Sequence, residues 1–184
     1  MEYGDTVLVA PVMSAEPTRS IDRHRSRADC AAGRGHNPAT RAAGEVLVDA
    51  VIASLVTEGW SLLHDRVMPS GGSVSHLVVG PASVIVLAAK AWKGELEVRG
   101  DQLFNGRWSQ RRVIETLAAQ RAAVRSALGE VIRPDDPVDT ALVVTTQPDF
   151  APVRVGGTTV LGIGHLREGI RSSRTSFSPS QVET

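Results

Sequence analysis

A chain of 184 residues, 42% hydrophobic and 22% charged, has room for one domain with a proper core and is too apolar for disorder throughout. Its formal net charge is zero, so no overall field draws it to nucleic acid or to an anionic membrane, and any such site must be a local patch. The single cysteine, Cys30, excludes an internal disulfide, and no apolar run approaches the roughly 18 residues that span a bilayer.

Residues 1–37 stand apart from the rest. Val7 to Met13 is a short apolar patch, and a polar run carrying Arg19, Arg23, Arg25, Arg27 and Arg34 follows it. Neither helical nor strand periodicity persists there, so a partly disordered arm is expected. A basic arm that touches phosphate is the sharper alternative, diluted by Asp22 and Asp29. Asp5 precedes the apolar patch and no basic segment does, so a secretory signal is not expected. With the lone cysteine, this gives the cytoplasm as the expected location, with no membrane partner.

Asn37 or Thr40 can cap a helix running to about Glu58, with Gly59 ending it. Val46, Val48, Ala50, Val51, Ile52, Leu55 and Val56 are expected to supply its wide apolar face; Glu45, Asp49 and Glu58 are its charges. Trp60 to Val67 reads as the first core strand and Pro69-Ser70-Gly71-Gly72 as a loop. Ser73 to Gly94 is the stretch around which the chain is organised. His76 to Val79 ends one strand, Gly80-Pro81-Ala82-Ser83 turns, and Val84 to Leu87 is a strand apolar enough to be covered on both faces. Lys90 leaves that strand as its one charge, and a lysine there needs a partner, a phosphate or an exit to solvent.

Glu95 to Arg99 and Gln102 to Phe104 alternate around Gly100-Asp101, which predicts a hairpin at a sheet edge. Trp108 or Ser109 is expected to begin a second helix reaching Leu128 and Gly129, with Val113, Leu117, Val124 and Leu128 as its buried stripe. Thr140 to Thr145 reads as a buried strand, Val153 to Leu161 as a strand pair, Gly164 to Ile170 as a short helix, and residues 172–184 as a disordered tail. Helices and strands alternate around a mixed sheet, so the expected class is α/β.

The candidate site follows from what phosphodiester hydrolysis requires. A hard divalent cation needs oxygen ligands, and a neighbouring lysine can stabilise charge developing on phosphorus. An acid two residues before a lysine on one strand points the same way as the lysine, and a helix beneath can add another carboxylate.

Several segments carry a resemblance: Gly44-Glu45, Leu63-His64-Asp65-Arg66, Ser75-His76-Leu77-Val78-Val79-Gly80-Pro81, Lys90-Ala91-Trp92-Lys93-Gly94, and Gln120-Arg121 on the second helix. Together they resemble the nuclease-related domain, NERD, a branch of the PD-(D/E)xK nuclease superfamily. The resemblance implies a restriction-endonuclease-like mixed central sheet flanked by helices, over residues 38–171. It also implies catalytic roles for Glu45 and Lys90 and substrate-binding roles for His76 and Gln120. The family's strand aspartate falls on Ser75, and the acid of its acid-x-Lys motif falls on Ala88. The resemblance therefore implies a degenerate nuclease domain with no metal and no cofactor, serving as a module that binds DNA or a protein partner. The alternative is an active, magnesium-dependent DNA endonuclease whose ligands have moved to acids such as Asp49, Glu95 or Glu97; Asp65 belongs to the family's His-Asp-Arg pattern and is no special replacement. His76 is expected to be a structural histidine, with no second His or Cys at metal spacing. Trp92 is expected to cover a strand edge, and the arginines of the second helix to form a solvated face.

Overall fold

The computed structural model describes residues 38–81, 83–129, 132 and 136–173. The expectations for the arm, its arginines, Cys30, the Asn37 cap and most of the tail lie outside them.

The first helix, α1, spans Pro38–Ala53, so Thr40 lies within it rather than capping it. A 3-10 turn at Val56–Glu58 follows, and Gly59 closes it in the left-handed conformation at φ 83°, a position that favours glycine. The predicted single helix to Glu58 is thus a helix and a tighter turn. Strands β1 (Ser61–Val67), β2 (Ser73–Val79) and β3 (Val84–Lys90) form an antiparallel meander. Two small strands, β4 (Leu96–Arg99) and β5 (Gln102–Asn105), turn on Gly100-Asp101 as predicted. They do not join the main sheet. With β6 (Trp108–Ser109) they make a separate three-stranded sheet, and α2 begins only at Arg111, ending at Leu128. Trp108 is therefore strand, not helix.

The chain then returns through β7 (Val138–Val144), which lies parallel to β3, as a crossover containing a helix requires. Strands β8 (Val153–Val155) and β9 (Thr158–Gly162) close the sheet, with β9 parallel to β7 and antiparallel to β8. A 3-10 turn at Ile163–His165 leads into α3, Leu166–Ser172. The order in the main sheet is β1-β2-β3-β7-β9-β8. This is an α/β, restriction-endonuclease-like mixed sheet flanked by helices, as the resemblance implied.

The alternation of side chains sorts the core into two layers. One face packs Val78, Ile85, Leu87, Ala141, Val143 and Leu161 against Val48, Ile52 and Leu55 of α1 and Leu166 and Ile170 of α3. The other packs Val74, Leu77, Val86, Leu142, Val144 and Val160 against Ile114, Leu117 and Val124 of α2. Ile114 joins Leu117 and Val124 as the buried members of the α2 stripe, with Val113 and Leu128 half-buried beside them. Trp92, Leu96 and Leu103 extend this second layer toward the small sheet, so Trp92 is a buried core side chain.

Candidate functional site

Strand β3 presents Ile85, Leu87 and Ala89 to the α1 layer, and Val86 and Ala88 to the α2 layer. By the same alternation Lys90 belongs on the α2 side with Ala88. The segment beyond Lys90 is held from the neighbouring strand's end. Thr145 donates its backbone N–H to the Lys90 carbonyl at 3.0 Å. Thr146 Oγ1 donates to the Trp92 carbonyl, and Gln147 Nε2 to that of Gly94 at 2.7 Å. Helix α1 comes close to the same end. A Cβ on Gly44 would sit 2.8 Å from Thr145 Oγ1, so only glycine lets the helix approach there, and Glu45 is the next residue.

Strands β2 and β3 pair from Val79↔Val84 to His76↔Leu87 and no further, although both strands continue. Continued in register, the next pair would be Ser75 and Ala88. The strands separate at this point, and Ser75 and Ala88, onto which the resemblance maps two family acids, sit at that opening. Ser75 is exposed and Ala88 half-buried. Gln120 of α2 reaches this end of β2, donating from Nε2 to the Ser73 carbonyl at 2.7 Å.

The pairing of β1 with β2 has an interruption at the same level. The ladder passes from His64↔His76 to Arg66↔Val74, omitting Asp65 and Ser75, and Asp65 has a φ of 47°. Leu77 packs in the α2 layer and Val78 in the α1 layer, yet Val74 packs with Leu77. The alternation therefore slips by one residue between Val74 and Leu77. A left-handed residue in one strand is the backbone device that permits such a change of face.

The register of this hairpin brings together residues that the sequence keeps apart. His64 and His76 are directly paired, with ring centroids 5.3 Å apart at 69°. Asp49, on α1, places Oδ1 3.7 Å from His64 Nε2. One ligand atom each from Asp49, His64 and His76 lie within 4.8 Å of one another, the one grouping of three or more metal-binding side chains among the described residues. His76 is only 4% exposed. Its Nδ1 and Asp49 Oδ1 are buried and accept or donate no hydrogen bond. Burial, then the neighbouring His64, hold the His76 imidazole below its ordinary pKa, against the opposing pull of Asp49, Glu45 and Asp65. The neutral ring is thus favoured.

His76 lies inside the protein, and half-buried Gln120 gives one N–H to the Ser73 carbonyl. His64 was the residue that sequence reasoning missed: the expectation that His76 has no second histidine at metal spacing is corrected by the register. A symmetric hairpin about Ser70 would have paired the two. The acids offered as replacements are dispersed. Glu97 binds Arg99 at 2.6 Å in the small sheet, and Asp49 is turned toward the histidines.

Magnesium, which the alternative of an active nuclease requires, is held by carboxylates with substrate phosphates completing its shell. A hydroxyl at Ser75 and a methyl at Ala88 do not fit that ion.

On the small sheet, Trp108 is 65% exposed with the Arg107 guanidinium 4.9 Å from its ring centre, and Arg99 lies over Phe104 at the same distance. The expected solvated arginine face of α2 is partly engaged: Arg111 pairs with Glu115 at 2.7 Å, and Arg125 donates to the Asp136 carbonyl at 2.5 Å. No helix among the described residues is long and apolar enough to cross a membrane.

A family model, described as the nuclease-related domain, matches residues 40–145, more than half of the chain. No curated protein and no solved structure matches it.

Proposed function

Since the chain belongs to the nuclease-related domain family, we propose that it is a member that has kept the fold and the lysine, lost hydrolysis, and acts by binding nucleic acid. The observation that carries this reading is the pair Ser75 and Ala88, at the opening between β2 and β3 beside Lys90. Without two carboxylates there, an ion that neutralises the developing phosphorane charge has no anchor. Several kcal/mol of transition-state stabilisation go with it. Lys90 and Glu45 are then the remnant of the family site, with Gln120 bracing the strand end rather than holding substrate. We assign residues 38–171 to this domain and place the protein in the cytoplasm, where a single thiol stays reduced.

Nucleic-acid binding is supported by the exposed Trp108–Arg107 pair of the small sheet. A base can stack on Trp108 while Arg107 meets a phosphate, a combination that tolerates any sequence. Single-stranded DNA is the natural first probe, because its bases are free to stack.

Fluorescence anisotropy with a labelled single-stranded oligonucleotide, at low and at physiological salt, tests the proposal. Binding is expected to weaken as salt rises and to be the same with magnesium or with a chelator. Trp108→Ala is expected to cost about 1–3 kcal/mol of that binding. In a parallel assay on plasmid DNA with magnesium, no cutting is expected. Cutting that disappears in Lys90→Ala would establish the alternative, an active nuclease with relocated ligands. Absence of salt-dependent binding would point instead to a protein partner.

A further inference from the structure

We propose that Asp49, His64 and His76 form a binding site for a divalent transition-metal ion of the zinc class, distinct from the family's magnesium position. The site ties α1 to the β1–β2 hairpin. Its donors are two imidazole nitrogens and one carboxylate oxygen, from three separate elements.

The chemistry of that donor set selects the ion. Imidazole suits zinc, cobalt, nickel and copper, whereas magnesium prefers oxygen donors throughout. The geometry needs little adjustment. Ligands about 2.1 Å from a tetrahedral zinc stand roughly 3.4 Å apart. Asp49 Oδ1 and His64 Nε2 are already 3.7 Å apart, and all three candidate ligand atoms lie within 4.8 Å of one another. A rotation of the half-exposed His64 and Asp49 side chains closes the remainder.

The observation independent of this clustering is the state of the buried donors. A ring nitrogen of His76 and an oxygen of Asp49 are shielded from water yet have no hydrogen-bond partner. A buried polar atom left so is costly, and native proteins rarely keep one without a ligand to satisfy it. Three protein donors and an open fourth position is the arrangement of an accessible zinc site rather than a closed one. Half-exposed His64 gives the ion its path from solvent.

The proposal does not depend on nucleic-acid binding, and its test reads metal directly. Tag-free full-length chain, stripped with a chelator, is titrated with zinc in competition with a chromogenic chelator and with cobalt(II) followed by its visible bands. One ion per chain is expected, with the band intensity of a tetrahedral site containing nitrogen donors. His64→Gln and Asp49→Asn, both at half-exposed positions and so able to fold, are each expected to weaken zinc at least tenfold. His76→Gln is expected to abolish the cobalt spectrum, with circular dichroism reporting whether it folds. Lys90→Ala is expected to leave zinc affinity unchanged. No zinc binding below about 100 µM, a Kd weaker than a three-ligand protein site should give, would overturn the proposal. So would binding that persists unaltered in both His64→Gln and Asp49→Asn, because the ion would then lie elsewhere, such as at Cys30.

Discussion

The double substitution Ser75→Asp, Ala88→Asp is expected to give the chain a magnesium dependence it does not otherwise have. Both positions lie at the point where β2 and β3 part, and Ala88 shares a face with Lys90 two residues on. Carboxylates there would face the opening together. Ala88 packs against the α2 layer and is half-buried, so a charge placed on it without a partner is penalised. Two like charges side by side add to that penalty. The double variant should therefore be less stable than the parent in a chelator and regain stability as magnesium is added, since an ion that binds only the folded state stabilises it by mass action. Thermal unfolding with and without magnesium measures this. A variant whose midpoint ignores magnesium, while the parent's does too, would mean that more than these two acids has been lost.

Trp60→Ala is expected to be the most destabilising single change in the α1 layer, at about 3–5 kcal/mol. The ring is fully buried between the turn that follows α1 and the turn that follows β2. A Cβ on Gly80 would run into it, so Gly80 is there because the indole lies against the backbone. Domains of this size hold only about 5–15 kcal/mol in all, so the loss would leave the fold marginal. Gly80→Ala is expected to cost about 1–3 kcal/mol by overpacking. The two should not add: once the indole is gone, the extra methyl has room. Urea denaturation of both single variants and the double measures the coupling. Strict additivity would show that the clash is not with Trp60. The contact also concerns the site, because it fixes the end of β1 against the end of β2, and that register is what sets His64 opposite His76.

Much of the fold was legible because local rules and tertiary packing agree. The Gly100-Asp101 turn, the apolar runs of β3 and β7, and the long helix α2 were each readable from period and punctuation. What escaped was decided by tertiary context. Two residues, Trp108 and Ser109, are strand only because β5 offers them an edge, and no propensity marks so short a pairing. The hairpin reads from sequence as an edge of the main sheet, yet Leu96 and Leu103 bury themselves beside Trp92 instead. At the candidate site, the absence of carboxylates at Ser75 and Ala88, the positions the resemblance singles out, is read directly from the sequence. The His64–His76 pair could not, because it depends on the register of a hairpin whose loop does not announce its centre. The left-handed Asp65, where the pairing breaks, is a conformation that sequence favours only weakly. Asp49 joins them from a helix, through a packing angle that no pattern in the strand records.

The central claim is that the family's magnesium position, stripped of its two strand carboxylates, no longer holds its ion. Isothermal titration of the unaltered, metal-stripped chain with magnesium tests it most directly. The account predicts no saturable uptake through the millimolar range, and the same flat trace in Glu45→Gln. A stoichiometric magnesium site in the unaltered chain, weakened by Glu45→Gln and altered by Lys90→Ala, would contradict it.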